Sequence, residues 1–269
     1  MMKKILKFIG ITLILLFIGA VCYFANAFFG NPVSYFLANY AAKEHIQNNY
    51  EGTDYEIERV AYSFKTGDYY AYLSSPTNID GDFMLTIDYK GKIEYDNYSL
   101  RVDGRANTEG RLLEEYRLMV EEGIFAHLEL KRGYSQIMFS FDEGDKKHND
   151  ALLLNELELN KEYDIKALAE KQGHISLSAE VDEANTETLA EILLKVKRIA
   201  DNNGIPFYTI QVSLFKEGEF STDLVVRQFL YSDIYEEGLT ERVEKEVEET
   251  RAYYEQKQQV KEEELNKIN

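Results

Sequence analysis

The chain has 269 residues, a formal net charge of −18, 45% hydrophobic residues, no tryptophan and a single cysteine. An acidic balance of this size opposes nucleic acid and anionic headgroups and suits cations or basic peptides, although solubility alone also accounts for it. With Cys22 inside an apolar run, no disulfide can brace the remainder, which must rely on its hydrophobic core; this fits a bacterial surface better than an endoplasmic lumen.

Lys3, Lys4 and Lys7 precede an uncharged run from Phe8 to Ala25. With its apolar flanks the run is long enough to cross the roughly 30 Å hydrocarbon layer. The positive-inside rule keeps the lysines cytoplasmic and exports everything after the span. Ala25-Asn26-Ala27 has the small-x-small form of a cleavage site. The run nevertheless exceeds the roughly 7 to 15 residues of an ordinary signal-peptide core, and bulky Phe28 and Phe29 would follow the cut. An uncleaved signal anchor over residues 1–29 is the expectation. Cys22 follows Val21 rather than the small residue that lipid attachment needs, so it reads as a cysteine within the span.

Asn31-Pro32 marks a helix start, since Asn caps and Pro is at home in the first turn. Phe36, Leu37, Tyr40, Ala41 and Ile46 then recur at spacings of three and four, which predicts a buried face. Next comes "DYEIERVAYSFKTGDYYAYLSSP". Its alternation changes phase near Glu58 and Arg59, which predicts a bulge. Lys65-Thr66-Gly67-Asp68 supplies a reversal, with Gly67 free to take a positive φ. Strands from Tyr69 to Leu73 and from Phe83 to Tyr89, a Lys90-Gly91-Lys92 turn and a strand through Ile93 and Tyr95 complete a helix-plus-meander unit over residues 30–100. Aromatic residues favour a pleated surface whatever they bind, so the tyrosines are first of all sheet. A recognition surface built on Tyr62, Tyr69, Tyr70 and Tyr72 is the sharper expectation.

Residues 101–234 form a second α+β unit in this reading. Leu112, Leu113, Tyr116, Met119 and Val120 share a helical face that Gly123 ends. Strands are predicted from Phe125 to Leu130 and from Tyr134 to Phe141, with "DEGDKKHND" as a polar loop. Asp164 caps a helix to Gln172, Ile175 to Val181 alternates as a strand, and Thr186 to Asn202 is the strongest helix. Strands from Phe207 to Phe215 and from Leu224 to Tyr231 follow. The hairpin at Tyr208 echoes the one at Tyr55, for which duplication and common hairpin chemistry serve equally well. Residues 235–269 are a charged helix that docks through Leu239, Val243 and Val247 before its apolar stripe fails, too short a stripe for a coiled coil.

The chemistry is mostly absence. His45, His127, His148 and His174 lie far apart, and no metal motif, nucleophile elbow or phosphate-cradling loop occurs. Asn78-Ile79-Asp80-Gly81-Asp82 offers oxygen ligands without the rest of a calcium loop and reads as a solvated turn. Glu114-Glu115 and Glu121-Glu122 diverge on their helix and make no dyad. No catalytic residue, metal or cofactor is expected.

The order of a membrane segment, "GNPVSYFLANYAAKEHI", the tyrosine-rich hairpin and "DYKGKIEYDNY" resembles the YfjL-like family of membrane-anchored proteins from bacilli and their relatives. The resemblance implies membrane anchorage and a second domain, and no functional residue carries over from it. The expected fold is therefore α+β: a transmembrane helix, two small units of helix plus antiparallel meander in cystatin-like order, and a C-terminal charged helix. The expected function is a non-catalytic, membrane-tethered module outside a Gram-positive-type cell that binds a protein, peptide or wall component through its sheet. The alternative is an envelope hydrolase whose two carboxylates are brought together by the fold.

Overall fold

A computed structural model describes residues 2–140, 151–216, 218, 219, 222 and 224–268. The predicted "DEGDKKHND" loop, His148 and Phe141 lie outside the described residues. The chain folds as two compact units, Met1–Thr108 with Glu158–Lys161, and Glu109–Leu157 with Glu162–Asn269.

The first unit opens with helix α1 (Met2–Phe29), and the segment Lys7–Asn49 holds the one candidate span among the described residues, judged by length and composition. Gly30 turns the chain with φ +70°, Asn31 caps the next helix through its side chain, and Pro32 opens α2 (Pro32–Asn49). The meander follows as β1 (Glu56–Tyr62), β2 (Tyr69–Ser75), β3 (Asn78–Ile87) and β4 (Ile93–Asp96), all antiparallel and paired in chain order. The register slips between Ile57 and Arg59, where the phase change predicts a bulge, and Gly67 and Gly91 take positive φ in the two turns.

Two details depart from expectation. The buried face of α2 is Ser34, Ala38 and Ala42, while Phe36, Leu37 and Tyr40 are exposed. Small side chains let the helix lie close on a sheet whose inner face already carries Tyr69, Leu73, Phe83 and Leu85, so the bulky stripe is turned outward. Asn78 to Asp82 is the start of β3 rather than a solvated turn, and Asp80 is buried.

In the second unit, α3 (Ala106–Gly123, whose first turn belongs to the first unit) leads to a 3-10 turn at Phe125–His127. A strand is predicted there. Phe125 and Leu128 do bury, but a short apolar run fits either conformation, and here it closes as a turn. The sheet is β5 (Lys131–Phe139), β6 (Gly173–Val181), β7 (Thr209–Lys216) and β8 (Val225–Leu230), with helix α4 (Ile165–Gln172) before β6 and α5 (Thr186–Asn203) between β6 and β7. The outer pairs are antiparallel, but β6 and β7 are parallel, so this sheet is mixed. An eighteen-residue helix between two strands carries the chain back to the end it started from, which a hairpin cannot do. The C-terminal helix α6 (Leu239–Ile268) buries Leu239, Val243 and Val247 in the core formed by Leu112, Ile175, Leu193, Val212 and their neighbours.

Candidate functional site

Strand alternation sends the four expected tyrosines to two different faces. Tyr69 is buried on the inner face beside Tyr62, with ring centroids 5.1 Å apart. The Tyr69 hydroxyl accepts from the Asn31 N–H at 3.0 Å and donates to the Asn31 carbonyl at 3.2 Å. The Tyr62 hydroxyl donates to the carbonyl of Ala27, 3.0 Å away in the last turns of α1. These two side chains hold the junction between α1 and α2. Tyr70 and Tyr72 stand on the outer face, opposite Thr86 and Met84 in the register. There the Tyr70 hydroxyl lies 3.2 Å from Thr66 Oγ1, and the Arg59 guanidinium stacks 4.1 Å over the Tyr72 ring.

The inner face also gathers His45, Tyr50 and Asp96, which are 51 and 46 residues apart in the chain as His45–Asp96 and Tyr50–Asp96. His45 Nε2 is 2.8 Å and the Tyr50 hydroxyl 2.6 Å from the same Asp96 oxygen, while the Tyr98 N–H donates to the other at 2.8 Å. Asn49 Nδ2 meets His45 Nδ1 at 3.1 Å, a pattern that fits the tautomer with its proton on Nε2. Burial first, and then the bond to Asp96, push the Tyr50 phenol well above its ordinary range. The Tyr50 ring packs against Tyr55, Phe83 and Tyr98. This network fastens the end of α2 to β4.

The second unit contains a cleft of about 550 Å³ that sequence reading misses. Its size falls within the range of small-ligand sites. Lys166 and Glu170, one turn apart on α4, form one wall; Ala200, Asp201 and Gly204 at the end of α5 form another. Ile205 to Tyr208, entering β7, supply the floor, and Tyr231 and Ser232 close it after β8. The Tyr231 hydroxyl donates to Asp201, its ring stands edge-on to Phe207 at 4.7 Å, and the Lys197 ammonium lies 3.5 Å from the ring centroid. Burial, the Asp201 bond and the nearby charges of Asp201 and Glu170 raise the Tyr231 phenol. Lys197 also lies 3.4 Å from Asp201. Among the described residues neither the Lys166 ammonium nor the Glu170 carboxylate has an ion-pair partner. The cleft thus offers aromatic and aliphatic walls, one unpaired cation and one unpaired anion, with no histidine or cysteine in the lining.

No group of three or more metal-ligating side chains occurs among the described residues. His174 Nδ1 lies 2.8 Å from Thr209 Oγ1, and His127 is the last residue of the 3-10 turn. The acidic neighbours on α3 are spent locally: Glu114 pairs with Arg117 at 2.7 Å and Glu115 with Arg111 at 3.4 Å.

Comparison with known proteins gives two matches that follow the division of the chain. Residues 3–97 match the YfjL-like N-terminal domain, and residues 115–244 match the YfjL-like C-terminal domain. No curated protein and no solved structure matches. With both domains present in order, the chain belongs to the YfjL-like family.

Proposed function

We propose that this protein is a non-catalytic binding module, tethered by α1 to the membrane of a Gram-positive-type cell with its folded units outside the cytoplasm. The length of α1 and the three lysines ahead of its apolar run support this orientation. The absence of any disulfide-capable pair and the acidic balance suit a module that stays soluble beyond the bilayer. The observation that carries the binding reading is the cleft of the second unit. A peptide, whether from a protein or from the cell wall, presents an amine, a carboxylate and apolar side chains together. Glu170, Lys166 and the Tyr231 ring meet those three features.

The test is thermal unfolding of the full chain in detergent micelles with a panel of short peptides that have free termini. Binding to the folded state alone raises stability by about 2.7 kcal/mol at a hundredfold excess over Kd. A dose-dependent rise that is lost in Lys166→Ala and in Glu170→Gln supports the reading; a panel that moves nothing contradicts it. The carboxylates of Glu170 and Asp201 in the same cleft favour the second reading, an envelope hydrolase. Peptide or glycan turnover that disappears in both Glu170→Gln and Asp201→Asn would establish that alternative.

A further inference from the structure

We propose that the outer face of α2 and the two turns at one end of the first sheet rest on the bilayer surface, forming an aromatic collar around the exit of α1. This rests on the tether reading above and extends it from one helix to a surface.

Topology puts the pieces together. In an antiparallel four-strand meander, the β1–β2 and β3–β4 turns lie at the same end, and the β2–β3 turn lies at the other. The end of α1 is fixed to the first of these ends: Phe28 meets Phe64 of the β1–β2 turn with ring centroids 6.1 Å apart, and Tyr62 holds Ala27. The β3–β4 turn reaches α2 there, because a Cβ on Gly91 would stand 3.2 Å from Leu37. From Phe8 to Phe29 the apolar part of α1 is about 33 Å long at 1.5 Å per residue, so its last residues reach the edge of a hydrocarbon layer about 30 Å thick.

Around that point the chain exposes what a soluble surface avoids. Phe29, Val33, Phe36, Tyr40, Phe64 and Tyr89 are all more than half exposed. Val33, Phe36 and Tyr40 form one stripe along α2, opposite the Ala38 and Ala42 face that meets the sheet. Continuity with α1 names the occupant, because the stripe starts four residues beyond the span and the tips flank its end. Lysines stand at both tips of a strongly acidic chain: Lys65 and Lys90 are exposed, Lys92 is exposed and paired with Glu94 at 2.7 Å, and the Lys90 ammonium lies 5.2 Å from the Tyr89 ring centroid. Aromatic rings collect at the membrane interface, and lysines there keep their stems in apolar surroundings while the ammonium meets phosphate.

The chain has no tryptophan, so single substitutions report one position each. The full chain carrying Phe36→Trp, Phe64→Trp or Tyr89→Trp is reconstituted in phosphatidylcholine–phosphatidylglycerol vesicles, with and without lipids brominated near the top of the acyl chain or, for the mid-span position, deep in it. Phe17→Trp, inside α1, reports insertion itself, and Ile79→Trp, exposed at the opposite end of the meander, reports the distant surface. The collar predicts that each of the three loses roughly half its emission to brominated lipid, as interfacial aromatics do, while Ile79→Trp is unchanged. Quenching of Phe17→Trp with none at positions 36, 64 and 89 overturns the collar and leaves the tether standing. The collar is also overturned if those positions are shielded from both brominated lipid and aqueous acrylamide, the result expected when a second copy of the chain covers them. If Phe17→Trp itself escapes quenching, tether and collar fall together.

Discussion

The hydroxyl of Tyr69 both accepts from the Asn31 N–H and donates to the Asn31 carbonyl, across 38 residues of chain. A buried phenol with two backbone partners is fully used. It acts on the residue that caps α2, one position beyond the turn that ends α1. The sheet therefore grips the junction directly, and the orientation of α1 against the first core is set by side chains rather than left to a loose linker.

Gly30 is the point where that grip tolerates no side chain. Its φ is +70°, and an added Cβ would stand 2.6 Å from the Tyr69 hydroxyl and 2.8 Å from the Tyr62 ring. Gly30→Ala is expected to destabilise the first unit by about 1–3 kcal/mol, from left-handed backbone and steric overlap together. Tyr69→Phe is expected to cost about 1 kcal/mol for the lost hydrogen bonds. Denaturant unfolding of both variants and of their double mutant checks this. Because the two residues touch, the double mutant should fall short of the sum.

Asp80 is the second fixed point of the first unit. Its buried carboxylate accepts from Thr108 Oγ1 and from the Asn160 N–H, each at 3.0 Å, and Asn107 donates to its carbonyl at 2.8 Å. Asp80→Ala strips a charged acceptor from buried donors, a loss of about 2–4 kcal/mol. Protease sensitivity around Glu158–Lys161 should rise in parallel, since that segment is held to the first unit through Asn160. Unchanged proteolysis would show the contact to be incidental.

The pH dependence has a defined sign at Asp54. Hydroxyls of Ser75 and Thr77, both 2.6 Å away, hold its carboxyl below the usual range. A pKa depressed on folding adds stability above the unfolded value of about 3.9, and that stability is lost as pH falls through the folded value. Asp54→Asn should therefore be less stable than the parent at neutral pH, with the gap closing in acid. A gap that persists unchanged at low pH would mean that the ionised carboxylate is not what the hydroxyls favour.

The long C-terminal helix divides into a docked part and an exposed part. Leu239, Val243, Val247 and Thr250 are buried, Arg227 lies 3.7 Å from the Tyr253 ring centroid, and every residue from 255 to 263 is exposed. Ending the chain after Lys257 should leave the unfolding midpoint unchanged, whereas Val243→Ala should cost about 1–3 kcal/mol. Thermal scans of the two variants separate these outcomes.

Much of this architecture was legible in residue order, and the exceptions are instructive. The bulge near Glu58, the Gly67 and Gly91 turns and the docked stripe of α6 follow from local pattern alone. The antiparallel meander expected of the second unit missed the parallel β6–β7 pair, although strand, long helix and strand is the signature of a crossover. Parity should have separated Tyr69 from Tyr70 and Tyr72, since neighbouring strand residues point to opposite faces. The α2 face misleads because periodicity marks an apolar stripe without saying whether protein or lipid covers it. The His45–Asp96 contact and the cleft draw on residues far apart in the chain, and no local spacing signals them.

The central claim is that α1 anchors the chain with both folded units outside. Its most direct test is protease shaving of intact cells or protoplasts that express the chain with a C-terminal epitope. The account predicts rapid loss of the epitope without lysis, a short N-terminal remnant that stays with the membrane fraction, and survival of a cytoplasmic marker. An epitope that withstands protease until the cells are broken, or a chain recovered without membrane, would contradict it.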